Sequence, residues 1–353
     1  MMIEIDGSHG EGGGALLRNA LALSAVLGEP ARIFNIRAGR KEPGLKMQHL
    51  TAVRALEKIC NARVSGAEKG SEEVSFEPGK TCCGEFRFDV GTAGAVTLVL
   101  QAVVPAALHA EGKVSLRLRG GTDVPFSPST NYFQHVFCDA LARMGAKIKI
   151  ETLRHGFYPR GGGEARVEIE PCALKPISLV ERGKLLRVDA RSIASESLRG
   201  KKVAERQLNG FKSVLKPERE FIDYIQSDSP GTSFQCHAHY EKCKLGAGAL
   251  GAMGKPAEKV GTEAGEMLVR EMGSGAAVDS HLADQLLAYM ALADGMSEIL
   301  VNGLSLHART NVWLIERFIK KRFEIEECEG GLAKVSISGI GIGGMNVASG
   351  NAP

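Results

Sequence analysis

Aromatic residues are scarce in this chain: one Trp, five Tyr and thirteen Phe, 5% of 353 residues. Aliphatic side chains must therefore fill its cores. A charge excess is missing too. The 44 basic and 41 acidic residues leave a net charge of +3, which argues against a protein that coats nucleic acid through a broad basic surface and leaves room for a local anion site. No run of about 18 apolar residues occurs, so no membrane span is expected. The start, Met1-Met2-Ile3-Glu4-Ile5-Asp6, reads as a strand without a signal-peptide pattern. Eight cysteines form no CxxC pair; Cys82 and Cys83 are adjacent and the others scattered. In a chain this long, reduced thiols in the cytoplasm are expected rather than a disulfide framework.

What the chain has in quantity is glycine, 43 residues gathered in tight clusters rather than spread as a linker. Such clusters mark turns where backbone approaches a ligand or another element. The length suggests about two domains.

The organisation is an internal repeat. An apolar helix over Leu16 to Val26 is followed by a strand (Ala31 to Ile36), a polar turn (Arg37-Ala38-Gly39-Arg40) and a helix from Gln48 to Ile59. The order returns as helix Ala95 to Leu108, strand Lys113 to Leu118, turn Arg119-Gly120-Gly121-Thr122 and helix Thr130 to Met144. It returns again as helix Gln285 to Leu292, strand Glu298 to Val301, turn Ser305 to Arg309 and a helix starting at Thr310. The first two polar turns lie about 80 residues apart and the third about 185 beyond the second; the excess has the size of a small domain. The spacing predicts residues 1–183 and 275–339 as three repeated units and 184–274 as an inserted smaller α/β domain, ahead of the last unit. Residues 340–353 read as a flexible tail. Units of two helices on a four-stranded sheet pack as an α/β (α+β) sandwich, and packing about a pseudo-symmetry axis would bring the polar turns together.

Six clusters carry chemistry. Asp6 to Gly14 places glycines ahead of a helix, where backbone amides and the helix N-terminus can face an anion. A tight turn without a ligand would need the same glycines. Glu11 inside it is a candidate Mg²⁺ ligand, and Arg18 lies one turn further on. Arg37, Arg40, Gln48 and His49 fall in or just after a basic loop, and Arg offers a fork matched to phosphate oxygens. Asp89 to Gly94 is a second small-residue turn. Gln101, inside the helix that follows, is equally readable as a satisfied core amide. Gly120 to Pro128 holds two prolines that stiffen a loop and offer a flat surface to a base. His281-Leu282-Ala283-Asp284-Gln285 opens the third unit, where Asp284 is either an N-terminal charge partner or a metal ligand shared with Glu11. In Ser305-Leu306-His307-Ala308-Arg309, a neutral imidazole can attack phosphorus, with Arg309 and a helix N-terminus to stabilise charge.

Gly-Glu-Gly-Gly-Gly, Arg-Ala-Gly-Arg…Pro-Gly-Leu…Gln-His, Gly-Thr-Ala-Gly, Gly-Gly-Thr-Asp, Tyr158-Pro159-Arg160-Gly161-Gly162-Gly163, Leu-Ala-Asp-Gln-Leu and Ser-x-His-x-x-Thr-Asn, in this order, resemble the RNA 3'-terminal phosphate cyclase family from about Ile3 to Val335. The resemblance implies an ATP-dependent, ligase-type enzyme that converts an RNA 3'-phosphate into a 2',3'-cyclic phosphodiester through enzyme-histidine-AMP and RNA-adenylate intermediates. It implies His307 as nucleophile, Gln101 and His281 to Gln285 as nucleotide contacts, and Glu11 and Asp284 as ligands of Mg²⁺ or Mn²⁺. Arg18, Arg37, Arg40, Gln48 and His49 become polar residues of the cleft, and His281 stands where some relatives carry a tyrosine that stacks on adenine. A non-catalytic cyclase-like ribosome-assembly factor would lack the nucleophilic His. An enolpyruvyl transferase shares repeated sheet-and-helix units but needs no His307. Zinc at Cys236, His237, His239 and Cys243 is disfavoured, because strand alternation puts Cys236 and the two His on opposite faces. Oligomeric state stays open, a homo-oligomer included.

Overall fold

The computed structural model describes residues 2–342. β1 (Ile3–Asp6) runs through the glycine turn into α1 (Gly14–Leu27), followed by β2 (Ala31–Phe34), α2 (Met47–Ile59), β3 (Arg63–Ser65) and β4 (Val74–Glu77). β1 and β2 are parallel, β2 and β3 both pair antiparallel with β4, and the sheet order is β1-β2-β4-β3. α1 and α2 bury apolar stripes, Leu16, Leu17, Leu21 and Leu23 on the first and Val53, Leu56 and Ile59 on the second, as amphipathic helices laid on a sheet must.

The second unit repeats the plan. It comprises β5 (Gly84–Asp89), α3 (Val96–Leu108), β6 (Val114–Gly120), α4 (residues 130–143), β7 (Lys147–Arg154) and β8 (Gly163–Glu170), in the order β5-β6-β8-β7. α4 contains a π turn at Phe133–Phe137 and starts under a Ser129 cap, whose hydroxyl accepts from Tyr132 N.

The third unit is interrupted. Its first strand is β9 (Ser178–Leu179). The chain then leaves for β10 (Leu185–Ser195), α5 (Val203–Lys212), β11 (Arg219–Ile225), β12 (Thr232–Tyr240), β13 (Lys244–Leu250) and α6 (Ala257–Ser274), with sheet order β11-β10-β12-β13. It returns to α7 (Ser280–Leu292), β14 (Met296–Val301), α8 (Leu306–Ile319), β15 (Glu324–Glu327) and β16 (Ala333–Ser338). β9 pairs parallel with β14 across this excursion, giving β9-β14-β16-β15, the order of the other two units. The extra segment therefore lies inside the third unit, not ahead of it; a two-residue strand carries too little pattern to be read in advance. Arg182 closes the excursion at its base, donating to Met272 O (2.6 Å) and Glu271 O (2.8 Å) at the end of α6.

Within the insert, α5 and α6 touch backbone to backbone. A Cβ at Gly210 or Gly261 would strike Glu258 O or Gln207 O, so only glycine allows this approach. β12 turns Phe234, Cys236 and Ala238 toward α6, where Cys236 Sγ donates to Ala264 O (3.4 Å), while His237 faces His135 of α4 with ring centroids 5.3 Å apart. One continuous buried cluster runs through all three units and takes in Phe211 and Phe234 of the insert.

Local expectations needed correction. β13, Lys-Leu-Gly-Ala-Gly-Ala-Leu, lacks β-branched residues and carries no strand signal in the sequence. α7 begins at Ser280 under an Asp279 cap and α8 at Leu306 under a Ser305 cap, not at Gln285 and Thr310. His307 thus sits in the first turn of a helix rather than in a loop, and Asp284 lies one turn inside α7. Of the expected tail, Ile340, Gly341 and Ile342 donate their N–H groups to Ala291, Ala293 and Leu292 O, so this stretch is docked. Residues 343–353 lie outside the described residues. No helix among the described residues is long and apolar enough to cross a membrane.

Candidate active site

The repeat decides where the site lies. A cleft of about 1170 Å³ takes lining residues from the N-terminal ends of all six helices outside the insert. These are residues 13–15 at α1, 46–49 at α2, 92–94 ahead of α3, 128–129 ahead of α4, His281 of α7 and His307 of α8. First-turn N–H groups have no intrahelical acceptor and carry partial positive charge; side-chain caps take some of them at α4, α7 and α8, and those left open around this one space favour an anion. The insert supplies a further wall through Gln235 and residues 247–250.

Two guanidinium groups point the same way. Arg18 is buried; one NH2 donates to Gln101 Oε1 (3.3 Å), its Nε has no partner, and burial pulls its pKa down to about 10. Arg37 is buried as well, donating to Gly44 O (2.7 Å), with burial again lowering its pKa. Neither makes an ion pair with a carboxylate among the described residues. A buried cation without a counter-ion is costly, and an anion entering the cleft would offset that cost. His49 stays neutral beside them. Burial first, then the charges of Arg18, Arg37 and Lys46, push its pKa down to about 3, and its Nδ1 accepts from Lys46 N (3.1 Å).

Gln101 links α1 to α7. It accepts from Arg18 and donates through Nε2 to Gln285 Oε1 (3.0 Å), and Gln285 in turn donates to His281 O (2.9 Å). Gln48 Oε1 accepts from Ala95 N (3.3 Å) and joins α2 to α3.

His307 is half exposed, and its Nδ1 lies 3.7 Å from Glu11 Oε2. That exceeds a hydrogen bond. Glu11 is anchored by Arg40, which pairs with its carboxylate, and by Thr310 Oγ1, which accepts from its N–H (3.0 Å). Gly10 has φ +60°, and a Cβ there would collide with that same Thr310 hydroxyl. Asp284 accepts from Ser305 Oγ (2.6 Å), and Asn311 Nδ2 donates to its backbone O (2.9 Å), so α7 holds α8 by its cap. Burial raises the Asp284 pKa, with the Ser305 hydroxyl and the nearby His307 opposing.

Of the residues singled out from the sequence for this chemistry, Leu282 and Ala283 are buried in the core and Arg309 points away as an exposed residue of α8 outside the cleft lining; the rest line this one cleft. Among the described residues no three His, Cys, Asp or Glu gather as a metal cage. Glu11 and Asp284 are hard oxygen donors of the kind Mg²⁺ uses together with substrate phosphates and water. Asp279 escaped the sequence reading. It is 1% exposed and accepts from Tyr132 Oη (2.6 Å), Gly246 N (3.0 Å), His281 N (3.1 Å) and Leu282 N (2.9 Å), tying α4, α7 and the insert together. The available signal was an acidic residue just ahead of an apolar helix.

The family model described as "RNA 3'-terminal phosphate cyclase" matches residues 9–325. A protein of Methanopyrus kandleri with that name is 45% identical over 95% of this chain and 98% of its own length. Proteins of the same name from Nitrosospira multiformis and Ignicoccus hospitalis are 44% and 45% identical, each over 92% of this chain and 94% of the relative. Among solved structures, an EPSP synthase from Acinetobacter baumannii superposes with a TM-score of 0.31 at 12% identity, over 92% of this chain and 63% of that one, too loosely to bear on fold or chemistry. With the family match across most of its length and relatives above 40% identity, the chain is an enzyme of the RNA 3'-terminal phosphate cyclase family.

Proposed function

We propose that the protein uses ATP to close an RNA 3'-phosphate onto the adjacent 2'-hydroxyl, with His307 as the covalent nucleophile. The observation that carries this reading is the half-exposed His307 in the first turn of α8, its Nδ1 facing Glu11, in a cleft ringed by helix N-termini and by Arg18 and Arg37. Nε2 attacks the α-phosphorus of ATP; a P–N bond forms and pyrophosphate leaves. Glu11 stabilises the imidazolium as it develops, as an orienting carboxylate does. The open N–H groups of Leu306 and His307 face the α-phosphate oxygens.

An oxygen of the RNA 3'-phosphate next attacks the same phosphorus and the P–N bond breaks, returning His307. The 2'-hydroxyl then attacks the 3'-phosphorus, AMP leaves, and the hydroxyl proton passes to solvent or a nearby base. A bare 3'-phosphate is a poor electrophile; adenylation supplies the leaving group, and the bound 2'-hydroxyl reacts by proximity, worth about 7–11 kcal/mol at best. A Mg²⁺ or Mn²⁺ ion held by Glu11 or Asp284 would screen the triphosphate charge from the nucleophile. Arg18 and Arg37 bind phosphate, and Gln101, Gln285 and His281 line the base side.

Incubation with α-labelled ATP is expected to label the protein through an acid-labile bond, and a 3'-phosphorylated oligoribonucleotide to discharge the label and gain a cyclic end. His307→Ala should abolish labelling at an unchanged melting temperature. Undiminished labelling of that variant would move the nucleophile elsewhere.

A further inference from the structure

Phe126 contributes nothing to the packing. Its ring is wholly open, at 102% relative exposure, and its φ is +64°, the left-handed region that disfavours a side chain. Tyr158 is 68% exposed. Both line the cleft that holds His307. Their loops run side by side: Thr122 N donates to Gly156 O (3.0 Å), and Asp123 bridges to Phe157. The Phe126 loop is stiff as well as exposed. Ser127 Oγ donates to Val124 O (2.9 Å), Thr97 Oγ1 donates to Pro128 O (2.7 Å), and Pro125 and Pro128 flank it. Two large rings are thus offered to solvent on rigid supports at one edge of the cleft.

We propose that Phe126 and Tyr158 form a stacking platform for the unpaired bases next to the RNA 3'-phosphate. This rests on the RNA-end reading above. Single-stranded bases bind proteins by splaying onto aromatic faces, and a face without hydrogen-bonding edges accepts any base. The platform makes end recognition indifferent to sequence but sensitive to pairing. A 3'-phosphate on an unpaired overhang engages both rings, whereas one at a blunt duplex end, with its bases already stacked, does not.

The test uses the full chain and a 3'-phosphorylated oligoribonucleotide, read by fluorescence anisotropy and by cyclisation kinetics. Phe126→Gly should raise Kd and KM for the RNA between about 5- and 150-fold, the span of one lost base–aromatic stack. It should leave the rate of ATP labelling at His307 unchanged and the melting temperature unchanged or higher, since glycine relieves the positive φ. Tyr158→Ser should act in the same direction. RNA abasic at its last two positions should bind wild type at least as weakly as Phe126→Gly binds the intact strand, and should lose nothing further with the variant. Wild-type RNA affinity in both variants overturns the proposal, as would be found if the rings served a protein partner. A raised KM for ATP with unchanged RNA binding also overturns it, by assigning the rings to the nucleotide. Absence of ATP labelling in the wild type would instead refute the reaction scheme, while the anisotropy series would still decide on the platform.

Discussion

His49 makes the cleft acid-labile to a degree that can be worked out. Its imidazole is 4% exposed, flanked by Arg18, Arg37 and Lys46, and its pKa falls from 6.5 to about 3 on folding. A group with a depressed folded pKa stabilises the native state fully above its unfolded value and loses that contribution as pH falls toward the folded one. The window is therefore pH 6.5 down to 3. Between pH 7 and pH 5 the unfolded chain takes up the proton and the folded chain does not, so the native state loses about 2 kcal/mol from this residue alone. His109, His135, His237 and His239 also have lowered pKa values through burial, so the wild-type curve sums several such terms. The contribution of His49 is isolated by comparison with His49→Gln, whose amide oxygen can still accept from Lys46 N. Urea unfolding of both proteins at pH 7 and pH 5 should show the variant losing about 2 kcal/mol less than wild type. Parallel losses in the two proteins would refute the claim that the ring is held neutral.

Asp279→Ala removes a cap and strands Tyr132 Oη and Gly246 N; the sum is about 3–6 kcal/mol of unfolding free energy, seen as a large drop in denaturant midpoint, with Asp279→Asn recovering part of it. Gly10→Ala drives a Cβ into Thr310 at a positive φ; about 1–2 kcal/mol of stability should be lost, together with most of the ATP labelling, because Glu11 moves with Thr310. Arg18→Met replaces a buried, unpaired cation by an apolar chain of similar length. The ligand-free protein should melt at a higher temperature, while the stabilisation given by added ATP, measured as a thermal shift, should shrink.

The repeat was legible because it is written in long apolar helices with period 3.6, and the three sheets share one strand order. Residues of the cleft could be picked out because most of them sit at helix starts or in turns, where Gly, Arg and His have no core role. Leu282 and Ala283 were included for their neighbours rather than for their own chemistry, and burial claims them. The start of α8 was hidden because Leu306 is exposed and breaks the apolar stripe; the Ser305 cap was its only local mark. Asp279 acts on partners 147 and 33 residues away, Tyr132 and Gly246, which no local pattern records.

The position of the insert also bears on how the chain reaches this state. The first two sheets pair strands that are close in sequence and can form as soon as their residues are made. The third cannot, because Ser178 must find Glu298, 120 residues later. Closing so long a loop slows folding more than it weakens the product. Arg182 shortens it by joining the two feet of the insert once that segment has its own structure. His307, carried on the far side of this closure, is thus brought to Glu11 only when the last sheet assembles, so incomplete chains have the arginine side of the cleft without the proposed nucleophile.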